Sequence, residues 1–85
     1  MGDLHRMFLQ TKTTNEVEDV LKWGLGEKEL YNLKLRVEIT KMLIKGSSYA
    51  EIQRQTGASS ATVAKVSKNI STKVVKKYFL KGKKV

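Results

Sequence analysis

Glu27 to Lys45 is a stretch of nineteen residues with nothing in it that breaks a helix, and it carries two apolar stripes instead of one. One stripe is Leu30, Leu33, Val37, Thr40 and Ile44. The other is Leu35, Ile39 and Met42, about a third of a turn or more away. A helix on the surface of an ordinary domain has a single stripe. A two-stripe helix about 28 Å long has to be covered on most of its sides. The chain has 85 residues, and a chain of this size buries only about 60% of its unfolded surface. Too little of it is left over to surround such a helix, so the expected cover is a second copy. Leu30, Leu33, Leu35, Val37, Ile39 and Met42 are the expected interface residues. The competing reading is a central helix protruding from a loose monomer core.

The other segments also read as helices. Leu4, Met7 and Phe8 fall at helical spacing within Gly2 to Thr11. Thr13 to Glu16 has the form of a capping box, opening a helix with Val17, Val20 and Leu21 on its apolar face. Gly24 is expected to close that helix, and Gly26 separates it from the two-stripe segment. Ser48 to Glu51 is a second capping box, starting a helix that Gly57 stops within about eight residues. Ser59 suits the cap of a helix running through Asn69. Ser71 suits the cap of a last helix with Val74, Val75, Tyr78 and Phe79 on one face, and Lys81 to Val85 reads as a frayed basic tail. There is no proline, no repeat and no strand-like alternation. The predicted class is all-α, about six helices in one domain spanning residues 1–85.

Residues 48–70 have the grammar of a helix-turn-helix, two short helices locked across a tight turn by a few apolar contacts. Counted from Tyr49, the ninth residue is Gly57, where the turn needs a residue at ease with positive φ. Ile52, Ala58, Val63 and Val66 occupy the positions that pack the two helices together. Gln53 departs from the usual alanine at a close-packed position. Ser59, Ser60, Ala61, Thr62, Lys65 and Lys68 are left on or near the solvent side of the second helix. Hydroxyls and free N–H groups at its start suit phosphates and base edges, with the lysines further along.

The charge distribution agrees with that chemistry. Residues 1–32 balance at −2, whereas residues 33–85 balance at +11, and no acid follows Glu51. A basic half of this kind is the footprint of a phosphate-rich partner. Arg54, Lys73, Lys76 and Lys77 are added as expected backbone contacts, the alternative for the lysines being a solvated face.

The runs Leu33-Lys34-Leu35-Arg36-Val37-Glu38-Ile39, Met42 to Gly46, Tyr49 to Ile52 and Thr56 to Val66 resemble the Trp repressor superfamily. The resemblance is nearest to its smaller Trp-repressor-like branch, the YerC/YecD type. It covers roughly Glu16 to Ile70 and is specific in Thr56–Val66. It implies an intertwined homodimer of six-helix chains, with Ser59 to Lys68 entering the major groove once per half-site. It also implies a ligand site in which Arg36 and Lys65 stand at the two positions that clamp the tryptophan carboxylate. Three departures bear on that site. Gly26 replaces a threonine, Lys65 replaces an arginine fork with a point charge, and Val66 replaces a glycine where the indole needs room. No cofactor is expected, and tryptophan is not the expected effector.

Other chemistry is thin. The chain has no cysteine, which excludes disulfides and thiolate metal sites. His5 is its single histidine, and Glu16, Glu18 and Asp19 sit where carboxylates favour a helix start. Trp23 reads as a core or dimer contact. No enzyme is expected. No apolar run approaches a membrane span and no secretory segment is visible, so the expected location is the cytoplasm. Three functions fit the pattern. One is a dimeric sequence-specific transcription regulator, in the first instance a repressor. Another is the DNA-recognition module of a transposase or replication initiator. The third is a basic adaptor for a protein or RNA partner.

Overall fold

The computed structural model describes residues 2–70 and 73–81. Its elements are α1 (Gly2–Gln10), α2 (Thr14–Lys45), α3 (Tyr49–Thr56), α4 (Ser60–Lys68) and α5 (Lys73–Lys81), with no strand among the described residues. The chain divides into two compact units, residues 1–33 and 34–85. The predicted all-α class holds. The proposed cap Ser71 lies outside the described residues, as does most of the expected tail, residues 82–85; Lys81 closes α5.

In the first unit, α1 ends where the Thr11 N–H and hydroxyl both donate to the Phe8 carbonyl, at 3.2 and 2.6 Å. The cap of α2 forms as the sequence predicts on one side, Thr13 Oγ1 accepting from the Glu16 N–H at 3.1 Å. The return bond differs by one residue, because Glu16 Oε1 accepts from the Lys12 N–H at 2.7 Å. The Thr13 bond satisfies one of the orphan donors at the helix entrance.

Gly24 does not close a helix. Helical backbone runs through it, and the break falls on Gly26 alone, at φ 83° and ψ 169°. That region of the backbone map is essentially reserved for glycine. The second and third predicted helices are therefore two arms of one element with a single-residue kink. Leu30 is buried in this unit, but Trp23 is 74% and Tyr31 65% exposed. The core reading of Trp23 is thereby corrected, because the described residues leave most of its ring uncovered.

In the second unit α2 ends at Gly46, φ 93°. The Gly46 N–H donates to the Leu43 carbonyl and the Ser47 N–H to the Met42 carbonyl, both at 3.0 Å, the paired bonds of a Schellman stop. Ser48 caps α3, its hydroxyl accepting from the Glu51 N–H at 3.2 Å. The core is Ile39, Ile52, Val63 and Val66, with Leu35, Met42, Leu43, Ala58 and Ile70 packed against it. Ile52, Ala58, Val63 and Val66 thus take the packing roles that their spacing predicts.

Within the single chain the expected interface residues are covered to different degrees. Ile39 is fully buried within its own chain, and Leu35 and Met42 are half-buried around it. The short helices α3 and α4 supply Ile52, Val63 and Val66, which pack with Ile39 in one core. Leu30 is also buried within one chain. On the other stripe, Thr40 is buried, its hydroxyl donating to the Arg36 carbonyl at 2.8 Å. Leu33 and Val37 stay uncovered, at 37% and 45% exposure. Of the six expected interface residues, these two are the exposed ones on the single chain.

Candidate nucleic-acid interface

Helix α4 is short, and its orientation rests on what precedes it. Gly57 adopts the left-handed conformation, φ 78° and ψ 3°, and its N–H donates to the Gln53 carbonyl at 2.9 Å. No L side chain adopts that φ without strain. Gln53, the departure from the usual alanine, is half-buried and tolerated there. Thr56 Oγ1 donates to the Ile52 carbonyl at 2.7 Å and accepts from the Ala58 N–H at 3.2 Å. Ser59 then caps α4, its hydroxyl accepting from the Thr62 N–H at 3.2 Å and sharing a 3.0 Å bond with Thr62 Oγ1. At the far end, the Asn69 side chain donates to the Lys65 carbonyl at 2.8 Å.

Val63 and Val66 are the buried residues of α4 and define its inner face. At 100° per residue the opposite face is Ala61, Lys65 and Lys68. All three are exposed, as are Ser59 and Ser60 at the helix start. Thr62 stands on the flank, half-buried, with its hydroxyl already in contact with Ser59. One helix therefore brings together the six residues from Ser59 to Lys68 that spacing singles out, but not on an equal footing. Arg54 is exposed in the last turn of α3.

Lys73, Lys76 and Lys77 are exposed on α5. Among the described residues no close backbone approach joins α5 to α3 or α4. Arg36 is exposed on α2, and Lys65 is exposed on α4. Val66, by contrast, is a core residue.

Sequence reasoning missed Thr56 and Asn69, both of which fasten helix ends by side-chain bonds. A signal was present at Thr56, since a threonine directly before a glycine turn often bonds the backbone two residues on.

No group of three or more His, Asp or Glu side chains suited to a metal occurs among the described residues. None of the described helices is long and apolar enough to cross a membrane. Chemically, the outward face of α4 offers two ammonium groups, a methyl group and two hydroxyls, a set able to contact phosphates and base edges.

Neither a curated protein nor a solved structure matches the chain significantly. Residues 1–78 do match a protein family, the one described as Trp repressor protein. That match spans α1 to α4 and most of α5 and includes the whole capped turn. The chain belongs to the Trp repressor family, a family of helix-turn-helix DNA-binding regulators rather than enzymes.

Proposed function

We propose that the protein is a transcription regulator, a repressor, that binds double-stranded DNA sequence-specifically as a homodimer, with α4 in the major groove. The observation that carries this reading is the outward stripe Ala61, Lys65 and Lys68 on a short helix capped at its entrance. An α-helix fits the major groove, and lysines on such a face meet guanine edges or phosphates. Ser59 and Ser60 approach the backbone, and Arg54 with Lys73, Lys76 and Lys77 adds sequence-independent attraction. Residues 1–85 act as one DNA-binding domain. Selection of bound duplexes from a random pool tests it. The expected product is a palindrome whose half-sites lie about 34–36 Å apart, one duplex turn. Salt-sensitive binding without selectivity, or preference for RNA, would instead favour the adaptor reading.

The dimer rests on exposed apolar side chains that a stable monomer of this size would cover. Trp23, Tyr31, Leu33 and Val37 are the leading examples. Sedimentation equilibrium at micromolar protein is expected to return about twice the chain mass, and a folded monomer there rules the homodimer out.

Tryptophan is not the effector in this reading. Where the resemblance implies room for an indole, Val66 is 4% exposed and part of the core. Gly26 has no side-chain hydroxyl to offer, and Lys65 carries no planar fork. Calorimetric titration with L-tryptophan is expected to give no binding in the micromolar range. Micromolar binding that tightens the DNA complex tenfold contradicts it.

A further inference from the structure

We propose that Thr56, through its hydroxyl, is the positioning residue that presets α4 for duplex selection without any bound small molecule. This deepens the DNA-binding reading and rests on it. The apolar core holds α4 at its distance from α3, since Ile52 on one helix meets Val63 and Val66 on the other. Apolar contacts are non-directional, so they set spacing better than they set rotation. The rotation of α4 determines whether Ala61, Lys65 and Lys68 face outward together. Only Gly57, Ala58 and Ser59 separate the two helices, so a change of backbone angle at Ala58 swings the whole reading face.

Thr56 Oγ1 has bonds on both sides of Gly57. It donates to the Ile52 carbonyl at 2.7 Å, one turn back in α3, and accepts the Ala58 N–H at 3.2 Å, in the middle of the turn. A hydroxyl has one donor and two acceptor sites, so both bonds can form at once. Thr56 and Ala58 are half-buried, and reduced access to water makes such bonds electrostatically stronger. Ala58 also packs on the core. Its N–H and its methyl group are therefore both fixed, and the next residue, Ser59, is delivered to its capping position on α4.

The test compares Thr56→Val, which keeps the branched shape and removes the hydroxyl, with Thr56→Ser, which keeps the hydroxyl. Valine leaves the Ala58 N–H without its acceptor, a change not neutral despite the similar volume. Amide exchange in the full-length, DNA-free protein is the first readout. Ala58 is expected to exchange about tenfold faster in Thr56→Val and within about twofold of wild type in Thr56→Ser, with Val66 unchanged in both. Affinities for the duplex that the wild type selects and for a scrambled duplex of equal length are the second. Thr56→Val is expected to bind the selected duplex about tenfold more weakly and the scrambled duplex equally well, with Thr56→Ser restoring the preference.

A merely structural role would not alter the ratio of the two affinities in folded protein. Equal exchange at Ala58 in all three proteins overturns the proposal, and so does an unchanged ratio in Thr56→Val. If Thr56→Val does not fold, Thr56→Ser decides. Wild-type exchange and preference in the serine variant support the hydroxyl, and loss of either overturns it. Failure of the wild type to prefer any duplex overturns the DNA reading instead, and the exchange rates then still report whether the turn is pinned.

Discussion

Ile39→Ala is expected to lower the unfolding free energy by about 2–5 kcal/mol, the largest effect of any single change considered. Ile39 is fully buried among Ile52, Val63 and Val66, with Leu35 and Met42 half-buried beside it. Truncation removes three carbons and leaves a cavity among neighbours held by three different helices, so collapse around it is only partial. Urea unfolding followed by circular dichroism, at fixed protein concentration, should show a lower midpoint with little change in slope. Sedimentation equilibrium of the variants, beside the unfolding curves, separates core from interface. Val37→Ala, at a position 45% exposed, is expected to shift the mass of the proposed dimer towards the monomer at low concentration. If Ile39→Ala kept its midpoint and lost only dimerisation, Ile39 would belong to the interface and the core described above would be wrong.

Lys65→Ala is expected to lower the preference for the selected duplex by about 1–3 kcal/mol if the ammonium group reads a base edge. Its position supports that effect. Lys65 is exposed on the face of α4 opposite Val63 and Val66, one turn beyond Ala61. Lys76→Ala or Lys77→Ala should behave differently, weakening all duplexes alike and flattening the salt dependence by about one unit of slope. Competition assays against scrambled duplex at several salt concentrations distinguish the two behaviours. Lys65→Ala with unchanged affinity and unchanged preference would mean that α4 is not the reader. Thr62→Ala, which the sequence pattern places beside Lys65, should have the smaller effect of the two. Thr62 is on the flank of α4, and its hydroxyl already bonds Ser59.

Much of the candidate site was legible because its determinants are local. Ser48 accepts from the Glu51 N–H, Ser59 caps α4 and Gly57 turns the chain after α3, each acting within four residues of itself as its position predicts. The packing roles of Ile52, Ala58, Val63 and Val66 were legible too, since two short helices joined by three residues have few ways to meet. Thr56 was overlooked although its place directly before Gly57 is a signal, because the pattern of packing residues says nothing of a side chain that bonds backbone groups.

The sequence by itself determined the helices, the turn, the basic half and the two stripes on α2, since each follows from residue type and from spacing along one element. Only the tertiary structure decided which positions of each stripe the chain covers for itself. Periodicity says that Leu35, Ile39 and Met42 need cover, and three non-local side chains, Ile52, Val63 and Val66, answer that need in the same chain. The choice between Gly24 and Gly26 was likewise not local, because both residues permit a break and only one adopts it. Trp23 follows the same logic, for an indole's burial depends on what comes to lie against it. An apolar face specifies that it must be buried but not by what, because burial energy depends on the area removed from water and not on the identity of the surface that removes it.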